Sequence, residues 1–418
     1  MGPEVEMIPV EKALDAILDH VRRMGTERTD LLHSLGRVLA EPVVSGRDHP
    51  PWNSSAMDGY AVRHDDLEPA SEQHSVTLEV IEEIAAGALP QKALQPGQAS
   101  RIMTGAPVPE GADAVIRVED TRTEGKHVRI VQPVEAGEHI RLRGEDIRAG
   151  NVVLAQNSTI GSAEVGLLAS VGRSHVQVYQ QPRVAILATG NELADLGEAL
   201  SPNKILNSNG YAVAAQVIEA GGVPVLLGVA KDTREELSDR LTQGLSADLI
   251  LISGGVSVGA YDFVKDVLER LGVSMAFWKV AMKPGEPLAF GTLQAKPIFG
   301  LPGNPVSTMV TFEQFVRPAL RKMQGHSLLF RPVIEAVVME RITKKPGKTH
   351  FVRAVVRKTG DRHEVWTTGS QSSGVLTSMV RANGLLIFPS ESGEIEKGQT
   401  VKVQLLGKNV SAQALPGY

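Results

Sequence analysis

The chain of 418 residues is 42% hydrophobic and 22% charged, with a formal net charge of -5. That is the profile of a globular protein, long enough at roughly 150 residues per domain for about three domains. The acidic balance argues against a dedicated nucleic-acid binder, which needs surplus Lys and Arg. There is no cysteine, which excludes disulfides, thiolate metal sites and a cysteine nucleophile and leaves any metal to oxygen or imidazole ligands.

No stretch approaches the ~18 apolar residues of a membrane span, and the opening MGPEVEMIPVEK has no signal-type apolar core. A cytoplasmic protein without membrane or nucleic-acid partners is expected. Residues 9–22 put Val10, Ala13, Leu14, Ile17, Leu18 and Val21 at helical spacing, and a second helix-like piece is expected near Asp30–Leu39. From 47 to 141 short alternating runs such as HSVTLEVIEEI, GADAVIRVED and KHVRIVQPV lie between Gly and Pro turns, which predicts a β-rich unit. Residues 142–181 return to mixed character, with Glu164–Ala169 helical, so that 47–141 reads as an insertion into a domain made of 1–46 and 142–181.

The stretch 182–326 alternates strand and helix. Strands are expected at Arg183–Thr189, Val223–Val229 and Asp248–Ile252, then near 273–280, 287–291 and 296–300. Helices are expected around Tyr211–Ile218, over 234–244 behind a Thr233/Glu236 capping box, along Val264–Leu271 and over 304–323. This alternation predicts a mainly parallel sheet with helices on both faces. PALRKMQGHSLLFRP reads as a hinge, 327–418 as a C-terminal β domain, and SAQALPGY as a frayed tail. The fold class is therefore multidomain α/β plus β.

Ligands of open α/β sheets sit at the carboxyl ends of the strands. Three loops fall there: Thr189–Glu192, Ser253–Gly259 and Gly300–Pro305. In SGGVSVG, the candidates Gly254, Gly255, Ser257 and Gly259 could bring backbone N–H groups and a helix N-terminus to a phosphate. The loop is neither a Walker loop nor GxGxxG. Asp262, in the first turn of the next helix, is open to two readings: an acid matching the helix dipole, or a Mg²⁺ ligand beside phosphates that Glu192 could assist. GLPGNPVS offers Pro302 and Pro305 as a stiff wall and Ser307 as an oxyanion donor, and Lys279 and Lys283 could supply point charges. The acids Asp58, Asp113 and Asp146 lie in turns with no chemistry legible from the residues alone.

The runs NSSAMDGYAVR, RIMTGAPVPEGADAVIRVED, RGEDI, ILATGNEL, SGGVSVGAYDFVKDVL, WKVAMKPGEPLAFG and GLPGNPVSTMVTFE, in that order, resemble the MoeA family of molybdopterin molybdenumtransferases, to which the C-terminal part of gephyrin-type proteins is related. The resemblance runs from about residue 7 to 407. It implies a central molybdopterin-binding-like α/β domain, flanking β-rich domains, a C-terminal β-barrel-like domain, and a homodimer.

The resemblance also implies the reaction. Molybdate would be inserted into adenylylated molybdopterin with release of AMP, assisted by Mg²⁺. Molybdopterin adenylyltransferase would act upstream and molybdoenzymes would receive the product. Asp58 and Thr104 would reach the pterin or nucleotide across the dimer, with Asp146 nearby. Glu192, Asp232 and Asp262 fall on acidic cleft positions. Lys279, Lys283, Pro302, Pro305 and Ser307 fall on the basic and proline-lined wall. Arg353 and Ser373 would hold molybdate, with Ser370 and Ser372 beside Ser373. Rival readings are the adenylyltransferase itself, a gephyrin-like scaffold, and tungstate as the oxyanion.

Overall fold

The computed structural model describes residues 7–198, 200–255 and 263–407. The chain divides into two compact units. Met1–Thr29, Gly36–Ala40 and Gln177–Tyr418 form one, and Asp30–Leu35 with Glu41–Val176 form the other.

The larger unit is built on β1 (Arg183–Thr189), α1 (Ser208–Glu219), β2 (Val223–Ala230), α2 (Arg234–Gly244), β3 (Leu249–Ser253), α3 (Phe263–Arg270), β4 (Ser274–Phe277), β5 (Ala289–Leu293), β6 (Lys296–Leu301) and α4 (Pro305–Thr311). The sheet order is β2-β1-β3-β6-β5-β4. β2, β1, β3 and β6 run parallel, and β5 and β4 close the sheet antiparallel. This is the expected mainly parallel sheet.

The central strands β1 and β3 read as nearly unbroken apolar runs because both faces are buried. Val184, Ile186, Leu249 and Leu251 face one core with residues of α1, α4 and the first helix, Val10–His20. Ala185, Leu187, Ile250 and Ile252 face a second core under α2 and α3. Thr233 caps α2 by accepting from the Glu236 N–H.

The helix expected over 304–323 is interrupted. α4 gives way to a π-type turn at Phe312–Val316 before α5 (Arg317–Met323). Pro318 explains the break: it has no N–H, and its ring would strike the carbonyl of Gln314 in a regular helix. The expected hinge is likewise corrected. Its first half lies in α5, and Arg317 and Arg321 donate to the carbonyls of Leu329 and Leu328 at 3.1 and 2.8 Å, strapping the rest down.

Beyond it, the strands Thr349–Thr359, Arg362–Thr367, Val333–Val338, Thr400–Leu405 and Gly384–Phe388 pair in sequence. The first pairs back onto the last, which closes a five-stranded barrel. The long strand achieves this with two edges. Residues 350–354 pair with Gly384–Phe388, and residues 354–359 pair with Arg362–Thr367. Met282–Lys283 pairs with the start of this strand at Thr349 and His350.

The smaller unit holds a six-stranded sheet in the order Ala114–Arg117, Gly59–Val62, Gln98–Ile102, Val76–Ile84, His127–Ile130, Thr121–Glu124, and the helix Ser162–Ser170. The helix expected near Asp30–Leu39 does not form. The Asp30 carboxylate accepts from the N–H groups of Leu32 and His33 as a helix cap would, but Gly36 turns the chain away at φ +78°. The tail SAQALPGY, expected to be frayed, lies outside the described residues.

Within the smaller unit the His64 ring contacts the Asp113 carboxylate at 2.6 Å, and the His64 N–H donates to the other oxygen at 2.7 Å. The bond to Asp113 raises the His64 pKa above 6.5. Burial would raise that of Asp113, but the His64 bonds outweigh it and hold it below 3.8. A raised histidine contributes stability below pH 6.5 that is lost as pH climbs through the folded value. A lowered carboxylate contributes above pH 3.8 and loses it as pH falls. The pair therefore supports the unit most between these limits. A series of melting temperatures from pH 5 to 9 is expected to fall more steeply for the wild type than for His64→Gln above the neutral range. Parallel curves would contradict this.

Candidate active site

The carboxyl ends of β1, β2, β3 and β6 open into one pocket of about 450 Å³. Gly190 and Glu192 follow β1, Asp232 follows β2, Gly254 and Gly255 follow β3, and Pro302, Gly303 and Pro305 follow β6; all of them line it. The described residues of the three loops singled out from the sequence thus converge, as the strand-end rule requires. Gly254 and Gly255 have φ of +94° and +64°, and a Cβ at Gly254 would sit 2.5 Å from the Thr189 carbonyl oxygen. Only glycine allows this approach of backbone to backbone. Ser257, Gly259 and Asp262 lie outside the described residues.

The acids differ in what they are free to do. Asp232 is committed on both oxygens: Thr189 Oγ1 donates to one at 2.6 Å and the Asn191 N–H to the other at 3.2 Å. It clamps the β1 and β2 ends together. Glu192 has no side-chain partner among the described residues and faces the pocket from an exposed position.

Sequence reading missed Asn207, Ser208 and Asn209. They bring the start of α1 to the pocket wall. Asn207 accepts from the Gly210 N–H, capping the helix, and Asn209 Nδ2 donates to Ser253 Oγ and the Gly303 carbonyl at 2.9 and 2.7 Å. The available signal was the run Asn-Ser-Asn before an apolar helical face. A helix N-terminus beside glycine loops is suited to phosphate.

A second pocket, of about 270 Å³, lies beside the long barrel strand. Lys283, Lys344, Lys345 and Arg353 line it together with His350 and Gln371, and no carboxylate does among the described residues. Arg353 is 2% exposed, and burial pushes its pKa down to about 10, so it remains charged at neutral pH. Its Nε donates to Ser378 Oγ at 3.3 Å and one terminal nitrogen donates to the Ser372 carbonyl at 3.2 Å. The other terminal nitrogen has no acceptor among the described residues. Burial, then the charges of Arg353 and Lys283, lower the Lys344 pKa. His350 is lowered by burial first, and by Lys344, Lys283 and Lys348. Four cations with no counter-charge make a site for a small dianion.

Other expected residues fall elsewhere. Ser307 is buried inside α4, and Lys279 lines neither pocket. Ser373 accepts from the Val306 N–H through its carbonyl, while Ser372 is the residue that meets Arg353. Residue 371 lines the basic pocket and residue 374 the glycine pocket, so one short loop borders both. In the smaller unit, Asp58 accepts from the N–H and hydroxyl of Thr104, both at 2.7 Å, and these bonds, backbone first, lower its pKa. Asp146 is exposed and its N–H donates to the His49 carbonyl.

Three family descriptions match in order: the MoeA N-terminal region (domain I and II) at residues 8–172, a probable molybdopterin binding domain at 185–322, and the MoeA C-terminal region (domain IV) at 335–406. The molybdopterin molybdenumtransferase of Nostoc sp. is 40% identical over 413 residues, covering 96% of this chain and 95% of that one. This chain belongs to the MoeA family. The molybdopterin molybdenumtransferase of Bacillus subtilis is 37% identical over 404 residues, covering 96% and 94%. The crystal structure of the molybdopterin biosynthesis MoeA protein from Pyrococcus horikosii aligns with a TM-score of 0.81 and 32% identity, over 96% of this chain and 99% of that one. In MoeA terms the glycine pocket lies in the molybdopterin-binding region, and Arg353 and the 371–374 loop lie in domain IV.

Proposed function

We propose that this protein inserts molybdenum from molybdate into adenylylated molybdopterin and releases AMP, a late step of molybdenum cofactor biosynthesis. The observation that carries the reading is the carboxylate-free basic pocket around buried Arg353, bordered by the same loop as the phosphate-suited glycine pocket. Gly254, Gly255 and the α1 N-terminus hold the substrate phosphates. Arg353, Lys283 and Lys344 concentrate molybdate. The chain has no cysteine, so the dithiolene of the substrate supplies the sulfur ligands. The names of the full-length relatives support the same step.

Mg²⁺ belongs to this proposal. Among the described residues no cluster of three metal-ligating side chains exists; a Mg²⁺ ion here would be held mainly by phosphate oxygens and one or two carboxylates. Glu192 would hold it, with Asp262. Asp232 is already engaged. The cation's contribution when bound would be neutralisation of phosphate charge. The protein acts as a cytoplasmic homodimer in which Asp58 and Thr104 serve the partner's site, with molybdopterin adenylyltransferase upstream and molybdoenzymes downstream. Full activity of a monomeric variant would overturn the dimeric site. Among the described residues no helix is long and apolar enough to cross a membrane.

The reading is tested by following AMP release chromatographically from adenylylated molybdopterin with molybdate and Mg²⁺. Molybdate-dependent release is expected, and Glu192→Gln is expected to lower it by about tenfold or more and to raise the Mg²⁺ concentration required, since one charged ligand contact is worth roughly 1.5–3 kcal/mol. Substrate binding without release would make the chain a carrier.

A further inference from the structure

Antiparallel pairing between the long barrel strand and Arg362–Thr367 ends at Ala354 opposite Thr367. One residue further, the Thr368 N–H still donates to the Arg353 carbonyl at 3.0 Å, and then the chain leaves the sheet. The Arg353 N–H is left without a strand acceptor on this edge just where the side chain must be held. Gln371 takes the place of the missing strand. Its Oε1 accepts from the Arg353 N–H at 2.9 Å and its Nε2 donates to the Arg353 carbonyl at 3.1 Å. The same amide nitrogen lies 3.2 Å from the Gly369 carbonyl, which fixes the loop on itself.

The consequence reaches the guanidinium. The next residue, Ser372, offers the carbonyl that receives Arg353 at 3.2 Å, and Ser373 accepts from Val306 at the start of α4. The loop is thus anchored at three successive residues: to the barrel strand by a side chain, to the arginine head by a carbonyl, and to the helix that walls the glycine pocket. Among the described residues no carboxylate orients Arg353, so the Ser372 carbonyl of this loop, with Ser378 Oγ on the guanidinium Nε, sets the direction of its free N–H groups.

We propose that Gln371 is a positioning residue for the oxyanion: it holds both the backbone and, through Ser372, the guanidinium of Arg353 in the geometry that receives molybdate, and it fixes the loop shared with the glycine pocket. This rests on the reading of Arg353 as the molybdate ligand. Gln371 itself need not touch the anion. An isosteric side chain without hydrogen bonds should leave the fold intact and loosen the arginine.

The test compares Gln371→Met with wild type in three measurements: molybdate binding by titration calorimetry, the separate KM values for molybdate and adenylylated molybdopterin, and the melting temperature. Removing the hydrogen-bond partner that orients a metal-ligating side chain costs roughly 10–100-fold in affinity, and an anion-binding arginine held by hydrogen bonds is expected at the low end of that range. About tenfold weaker molybdate binding and a matching rise in its KM are expected, with the other KM and the melting temperature unchanged. Gln371→Glu, which sets an acceptor against the Arg353 carbonyl and a charge in the basic pocket, is expected to do worse. If molybdate binding survives in Gln371→Met while Arg353→Met destroys it, the positioning role is wrong and the pocket stands. If Arg353→Met also binds molybdate normally, the pocket reading itself falls. Should Gln371→Met melt early, Thr368→Val decides. It removes only the Thr368 hydroxyl, 3.3 Å from the same carbonyl, and is expected to weaken molybdate several-fold; unchanged binding would overturn the role.

Discussion

Arg353→Met is expected to raise the KM for molybdate about a hundredfold and, at the same time, to raise the melting temperature. The two effects have one cause. The guanidinium is 2% exposed, with no carboxylate partner among the described residues, and its pKa is pushed down to about 10 by burial alone. A shift of that size corresponds to roughly 3 kcal/mol of uncompensated desolvation in the folded state. Its protein hydrogen bonds, at 3.2 and 3.3 Å, run to neutral oxygens well beyond the roughly 2.7–2.9 Å of strong charge-assisted bonds, and together return only about 1 kcal/mol. A methionine of similar reach removes the desolvation and loses little else, for a net gain of about 2 kcal/mol.

Bound to a dianion, the same arginine makes charge-assisted, two-pronged bonds in a pocket that already holds Lys283, Lys344 and Lys345. Loss of about 3 kcal/mol there is the hundredfold expected. Kinetics at varied molybdate and a thermal melt of the free protein check both halves. A variant that lost both stability and activity would mean that the charge is compensated in the free protein and is structural. Arg353→Lys, which keeps charge without the planar fork, is expected to fall between the two in KM.

How legible this was varies with the physics. β1 and β3 could be read directly because a strand covered on both faces has no polar side to confuse the pattern, and the strand-end rule then gathered Glu192, Gly254, Pro302 and Pro305 from the order of residues alone. Asp30 misled because a capping carboxylate looks the same before one turn as before ten; only Gly36, with its left-handed backbone, distinguishes them. The π turn was hidden because the apolar spacing of Phe312, Phe315 and Val316 tolerates one extra residue per turn. Lys344 and Lys345, in KKPGK, carry no signal of a site in the sequence. Their crowding against Arg353 depends on the barrel closing through the two edges of Thr349–Thr359, a matter of register that local pattern does not encode. Gln371 carried no signal for the same reason, since its role exists only where a sheet edge runs out.

The motif AMDGYAVR shows how a structural demand can sit against a functional one. Gly59→Ala is expected to destabilise the smaller unit by about 3 kcal/mol or more, comparable with the worst core substitutions. Gly59 is the first residue of a strand paired on both sides, opposite Ile102 and Arg117. A Cβ there would lie 1.9 Å from the Ile116 carbonyl oxygen and 3.1 Å from the Arg117 Cα. Both are backbone atoms of the neighbouring strand, so no side-chain rotation relieves the overlap; the strands must part or slip. Parting them breaks the pairing that carries Tyr60 and Val62 into one core and Ala61 into the other. It also moves Asp58, whose carbonyl accepts from Val118 and whose carboxylate is held by Thr104. Gly46→Ala is the control. Among the described residues nothing lies within 4 Å of its Cβ, and a less flexible unfolded chain should leave it neutral or slightly more stable. Thermal melts of the two variants should differ by roughly 10 °C. A Gly59→Ala protein melting with the wild type would show that the sheet can yield here, and the glycine would then have to be explained by Asp58 and the chemistry it serves.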